Sequence, residues 1–401
     1  MAIKWLSKKK RVILIHTLVL VILIPLMQSL PYQFGDERRA FEIFRRIDLN
    51  LFKSSEDGGD RYLFLNTAYS KAVIPKLDET GSYPIGKVAI TDRKLITQLL
   101  DSLYQSEFEY LIIDIFFGDP SKEDEGLQKA LNRFDETNPA QPVIVPFHLE
   151  GDEAQTPVVY TDSGLADIKV VRGFFLKYTL QEGQYKSLPL KVYERLYQEE
   201  YKKGILMGKL NSGRLFNSFV LKNRITSFDL FEGKNNALLD MGDFLLLPKS
   251  RQHEYVKDRI VVVGDFANDS VDSIDGNLPG PLVLLNVLLA LENGDPFLSP
   301  LFIIFLLLMS FLISTFIVFG DSWINRFLRR ELWSRFGLFK KAVIALLLLI
   351  ILSTIAYFGF GKLMNLFYIL AYVLTFDYLH RLRAFQKKIK VKSAEANLPT
   401  N

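Results

Sequence analysis

The chain has 401 residues, 49% of them hydrophobic and 23% charged, with a formal net charge of +4 and no cysteine. The missing thiols exclude disulfides, thiol catalysis and zinc–thiolate sites. The positive excess sits in short clusters beside apolar runs, which argues against a nucleic-acid surface.

Residues 1–11 form a basic N-terminus with Lys4, Lys8, Lys9, Lys10 and Arg11, and "VILIHTLVLVILIPLMQSLP" follows over residues 12–31. A bilayer-spanning helix needs about 20 mostly apolar residues, and a buried helix of a soluble protein rarely runs so long without charge. A cleaved signal peptide would need small residues at spaced positions, and "MQSLPYQF" offers only Ser29, so an uncleaved anchor is favoured.

Residues 32–296 alternate between strand and helix patterns. Strand candidates are "YLFLN" at 62–66, "KVAIT" at 87–91, "YLIIDIFF" at 110–117 and "VIVPF" at 143–147. Later ones are "KVVRGFFLKYTL" at 169–180, "FLLLP" at 244–248 and "RIVVVG" at 259–264. Helices are expected over "DRKLITQLLDSLYQSE", "KEDEGLQKALNRF", "LPLKVYERLYQEEYKK" and "PLVLLNVLLALENG". Asp92 is placed to cap the first of them, and Leu95, Leu99 and Leu103 recur on one face. Near-continuous apolar strands alternating with helices predict an α/β domain with a mostly parallel sheet and flanking helices. Residues 204–242 give no regular pattern.

Three further apolar segments, 297–320, 342–360 and 363–380, bring the expected membrane spans to four, one N-terminal and three C-terminal. The last needs Asp377 to His380 to reach full length. With four spans, the basic clusters at 1–11, in the loop 321–341 and in the tail 381–401 share one side. That side is the cytoplasm, so 32–296 lies outside. Asp377, four residues before Arg381, is placed to pair with it.

Several motifs dissolve on inspection. "GSYPIGKV" at 81–88 spells most of a phosphate-binding loop, but Val88 replaces the hydroxyl residue and a strand, not a helix, follows, so a turn is favoured. The histidines at 16, 148, 253 and 380 are scattered, without metal-pair or Ser–His spacing, and packing or surface roles are favoured for His148 and His253. Asp114 interrupts an apolar strand, and Asp119 and Asp265 each follow one. Ligands of open α/β sheets bind outside the carboxyl ends of strands, so these carboxylates could line one crevice with Asp114 deepest. The alternative is that Asp114 bonds to backbone N–H groups and fixes a turn. The loop with Asp265, Asn268, Asp269, Asp272 and Asp275 does not match the calcium-loop spacing, and a solvated acidic rim is favoured over a cation site.

The layout resembles the second type of CHASE domain (CHASE2), an extracytoplasmic sensor of bacterial transmembrane receptors. In "YLIIDIFFGDPSKEDEGLQKAL" the matching positions are Asp114, Phe117, Pro120, Asp124, Leu127 and Leu131. "VVRGFFL" is similar to the family's mid-domain strand with an Arg. In "RIVVVGDFANDSVDSIDGNLPGPLVLLNVLLALENG" the likeness rests on Gly264, Asp272, Pro279, Gly280, Asn286 and Leu289. Two positions depart from the pattern: Asn66 stands where an Ile-Asp-Asp run is common, and Leu284-Leu285 where His-Ala is common.

The resemblance implies a sensory, ligand-binding protein of the bacterial inner membrane, with its large domain in the periplasm or outside and no catalytic residues, cofactor or metal. Ligand contacts are expected among Asp114, Asp119, Asp265, Asp272 and Asn286. Family receptors usually carry an enzymatic output module after the last helix; only a short polar tail follows here, so output is expected through a separate partner. The loop 321–341, with Trp323, Phe327, Trp333 and Phe336 among its arginines, is a candidate docking surface. Beyond the unknown ligand and the lipid bilayer, a second copy of the chain is an open partner. The rival readings are an exported membrane-bound hydrolase using Asp114 and Asp265, and a structural subunit of an envelope complex.

Overall fold

The computed structural model describes residues 8–32, 35–51, 61–78, 82–137, 142–171, 173–204, 207–231, 237–327 and 337–396. The chain divides into two compact units, Lys53–Pro296 and the combination of Met1–Phe52 with Phe297–Asn401.

The first unit is built on a six-stranded parallel sheet. Its strands are β1 (Tyr62–Asn66), β4 (Tyr110–Asp114), β5 (Val143–Phe147), β6 (Ser163–Leu165), β7 (Ala237–Asp240) and β8 (Ile260–Gly264). The spatial order is β7-β1-β8-β4-β5-β6. Strands β1, β4, β5 and β8 are almost wholly buried, which is why they read as unbroken apolar runs. Alternate side chains serve opposite faces. Leu63, Leu65, Leu111, Ile113, Val261 and Val263 join the core under the helices α3 (Arg93–Leu103), α4 (Asp124–Thr137), α7 (Met241–Leu246) and α8 (Lys249–Val256). The helices α5 (Leu188–Tyr197) and α9 (Gly280–Glu292) pack on each other and on the sheet. Helix α9 is buried from Gly280 to Leu291, so its sequence is apolar all round.

Local signals act as expected at α3, where the Asp92 carboxylate accepts the Lys94 N–H at 2.9 Å and Ile96, Leu99, Leu100 and Leu103 are buried. "KVAIT" lies outside the central sheet: β2 (Lys71–Leu77) and β3 (Pro84–Thr91) form a separate antiparallel hairpin, which takes up the phosphate-loop-like stretch. "FLLLP" is corrected from strand to helix. Met241 and Phe244 give it a buried side three residues apart, Leu246 points to solvent, and Pro248 ends it. The strand belonging to this part of the sheet is the four-residue β7 just before it. The expected strand at 169–180 is broken into pairs of two or three residues, and Arg172 lies outside the described residues.

The second unit is helical. Helix α1 (Lys8–Ser29), α10 (Pro300–Phe327), α11 (Gly337–Phe360) and α12 (Leu366–Ala396) share a core of Leu20, Ile24, Met309, Ile313, Leu349 and Val373, among others. Small residues let the helices approach: Ser310 and Ser314, four apart on α10, and Ser353 and Ala356 on α11 are fully buried. Two polar groups inside also make hydrogen bonds across the unit. His16 Nδ1 lies 2.6 Å from the Tyr372 hydroxyl, and the Gln28 amide donates to the Leu363 carbonyl at 2.9 Å. Asp377 is buried; the side chain of Arg381 lies outside the described residues. Among the described residues three helices are long and apolar enough to cross a membrane, Lys8–Ser29, Pro300–Phe319 and Ala342–Phe360. The apolar part of α12, Leu366–Leu379, is shorter. Helix α2 (Gly35–Leu51) also belongs to this unit and packs on α11. The side chains of Trp323, Phe327, Trp333 and Phe336 lie outside the described residues.

Candidate functional site: the carboxyl edge of the parallel sheet

A parallel sheet brings every strand's carboxyl end to one edge, whatever the sequence distance between strands. The pairing register here aligns Asp240, Asn66, Gly264 and Asp114 in a single row across β7, β1, β8 and β4. Residues just past neighbouring strands add His148 after β5, Asp167 after β6, Asp265 and Asp269 after β8, and Lys71 shortly after β1.

The row is partly structural. The buried Asn66 amide donates to Asp240 Oδ1 at 2.9 Å, and its oxygen accepts from Ala68 N at 3.1 Å and Phe266 N at 3.2 Å. An aspartate here would set two carboxylates against each other, so the amide suits its neighbour Asp240. Gly264 is required by close approach: a β-carbon there would lie 2.5 Å from Pro281 Cγ and 3.4 Å from Asp114 Cβ. At Gly280, on the facing side, a β-carbon would lie 2.5 Å from Asp269 Oδ2, so a larger residue there would displace that carboxylate. The two glycines therefore let the start of α9 settle over β8 with Asp269 against it.

Asp114 is the unusual member. It ends β4 with partial exposure, and no hydrogen bond reaches its carboxylate among the described residues, so it does not fix a turn through backbone N–H groups. Burial pushes its carboxyl up to about 7; the charge of Asp269 adds to this, and His148 opposes it. Asp269 is also raised, by burial and then by repulsion from Asp265. Asp265 goes the other way. Burial works against its charged form, but Lys71 at 2.9 Å and the Asn268 N–H and side chain hold the carboxyl below the ordinary range. His148 Nδ1 lies 2.8 Å from Asp167 Oδ1, whose other oxygen accepts the Leu149 N–H at 3.1 Å. That hydrogen bond raises the His148 pKa, burial opposes, and the charges of Asp167, Asp114 and Asp269 add. The edge of the sheet thus gathers four carboxylates, Asp114, Asp167, Asp265 and Asp269, and the His148 imidazole, with no hydrogen-bond partner for Asp114 among the described residues.

The other expected contact residues sit elsewhere. The Asp119 charge acts on Arg93, whose guanidinium also bonds the Asp119 carbonyl and pairs with Asp124 at the start of α4. Asp272 is exposed on the hairpin formed by β9 (Ser270–Ser273) and β10 (Gly276–Pro279). Asn286 is fully buried in α9 and its amide is saturated. It accepts from Arg224 N at 2.7 Å and Ile225 N at 3.0 Å, and donates to the carbonyls of Ile225 and Leu282. Its place is to pin the 224–225 segment to the helix. Among the described residues no three acidic or histidine side chains converge in a metal-holding group. Asp167 and Lys71 carry no sequence signal that ties them to this edge, whereas His148, expected in a packing or surface role, follows a strand's carboxyl end by the same rule that selects Asp265.

The sequence model of the CHASE2 domain matches residues 19–311. The chain belongs to the CHASE2 domain family. The match extends past both ends of the α/β unit, so the family pattern includes parts of the apolar helices α1 and α10. CHASE2 is a sensory extracellular domain. Gly264 and Gly280 keep close approaches in this member, and Asn286 keeps a buried lock. No curated protein and no solved structure matches the chain.

Proposed function

We propose that this CHASE2 protein is a membrane-anchored sensor whose α/β domain binds a small ligand at the carboxyl edge of its sheet, outside the cytoplasmic membrane. On this reading Asp114 is the central contact, Asp265 and Asp269 form the rim, and His148, oriented by Asp167, is the second polar wall. The observation that carries the proposal is Asp114, a carboxyl at a strand end, surrounded by protein yet partly open, with no hydrogen bond from the described residues. A ligand that donates hydrogen bonds or carries a cationic group would complete it. We place α1, α10, α11 and the apolar part of α12 across the bilayer, with the basic segments 1–11, 321–341 and 381–401 in the cytoplasm. Output passes to a separate partner, which docks on the aromatic and arginine side chains of the loop 321–341.

The hydrolase reading draws on the opposite shifts of Asp114 and Asp265, the pattern of an acid and a base in one cleft. Against it, Asp265 is already engaged by Lys71 and by the N–H groups of Ala267 and Asn268, which leaves it a loop-forming carboxylate. The test is purification of the full chain from native membranes in its wild-type and Asp114→Asn forms, with mass spectrometry of the small molecules each releases. A compound retained by wild type and depleted from the variant is expected. Equal retention, or none in either form, rejects the crevice as the ligand site.

A further inference from the structure

Helix α2 (Gly35–Leu51) begins six residues after α1 ends at Ser29. Its sequence, "GDERRAFEIFRRIDLNL", sets Ala40, Phe41, Ile43, Phe44 and Ile47 on one side at helical spacing and charged residues on the other. Only part of the apolar side is used by the fold. Phe41 and Phe44 are buried against Tyr357 of α11, with ring centroids 6.1 and 5.1 Å apart, and Phe44 also meets Phe358 at 6.0 Å. Ile43 remains 59% exposed and Ile47 38% exposed. Arg39 and Arg46 are exposed beside them.

The position of the helix identifies what covers this edge. Tyr357 and Phe358 lie in the last turn of the span-length segment Ala342–Phe360. A helix packed on the end of a span lies at the depth where acyl chains meet headgroups, the depth that amphipathic helices with flanking basic residues occupy. Ile351 and Ile355, on the same span, are exposed one to two turns below Phe358, so the lipid-facing surface of α11 continues toward α2. We infer that α2 is an interfacial helix, lying in the membrane surface with Ile43 and Ile47 among the acyl chains and Arg39 and Arg46 reaching lipid phosphates. The helix then fixes where the chain leaves the membrane on its way to the sensor domain. This inference rests on the reading of α11 as a span.

The chain has no cysteine, so single cysteines can carry a nitroxide without background. The full chain is reconstituted in vesicles of phosphatidylethanolamine and phosphatidylglycerol, with labels at Ile43→Cys, Ile47→Cys, Arg38→Cys and Ile351→Cys. Power saturation compares collision with oxygen, which concentrates in lipid, and with a water-soluble nickel chelate. Positions 43 and 47 are expected to resemble 351, with oxygen favoured several-fold, and position 38 to favour the chelate. If 351 is immersed while the chelate reaches 43 and 47 as freely as 38, the span stands and the interfacial helix is refuted. If both reagents are excluded from 43 and 47, protein covers the edge, and the lipid assignment is likewise wrong. A chelate-accessible 351 would instead overturn the span itself.

Discussion

Replacing Asp114 by Asn keeps the shape of the side chain and removes its charge. In the folded protein the carboxyl is pushed up to about 7, chiefly by burial, with Asp269 adding. In the unfolded chain it takes the ordinary value of about 3.9. Between roughly pH 4 and 7 the folded form therefore keeps a proton that the unfolded form has released. Stability must fall as pH rises through that window, and the loss is complete above about pH 7. A shift of about three units at about 1.4 kcal/mol each gives about 4 kcal/mol, an upper bound because the carboxyl keeps some contact with water. Asp114→Asn carries no charge at any of these pH values, so it should lack this fall and exceed wild type by roughly 2–4 kcal/mol at pH 8. His148 acts in the same direction. Its pKa is raised by Asp167, so its contribution is present below its unfolded value and is lost as pH rises through the folded one. Urea unfolding of the detergent-solubilised chain from pH 4 to 8, followed by pulsed proteolysis of the α/β unit, measures both proteins. Parallel slopes for wild type and Asp114→Asn would refute the claim that this carboxyl is held protonated by its surroundings.

Three further outcomes follow from the packing around the site. Gly264→Ala should destabilise the α/β unit by about 1–3 kcal/mol, because the added methyl collides with the Pro281 ring; a thermal melt within experimental error of wild type would contradict the close approach. Asn286→Ala should cost roughly 2–4 kcal/mol by leaving the N–H groups of Arg224 and Ile225 unpaired, and a loss below 1 kcal/mol would show that the amide is no lock. Calcium at millimolar concentration should leave the melting temperature unchanged, since Asp265 is held by Lys71 and Asp272 stands apart on a hairpin; a rise abolished by Asp272→Ala would establish a cation site.

The parts of this fold that read clearly in sequence are those whose pattern is set by burial on both faces or by length. Strands β1, β5 and β8 and helices α3, α4 and α9 were legible because their apolar residues repeat with the right period or run without interruption. Strand β7 was not, since four residues carry no period, and "FLLLP" misled because a helix of six residues shows a single repeat of its buried side. The site was legible in part. Asp114 and Asp265 stand out as charges at the ends of apolar strands, whereas the link between His148 and Asp167 depends on β5 and β6 being neighbours, a property of the sheet order. Asn286 shows the opposite case. A polar residue in an apolar helix attracts attention as a contact, but the backbone it serves lies 61 residues away in sequence and only the fold brings it there.

The central claim is that the α/β domain lies across the membrane from the basic clusters. Alkaline phosphatase, which is active only outside the cytoplasm, tests it when fused after residue 150, 335, 361 or 401. The account predicts activity at 150, within the sensor domain, and at 361, between α11 and α12, with silence at 335 and 401. Activity at 335 together with silence at 150 would place the CHASE2 domain in the cytoplasm and contradict the sensor account.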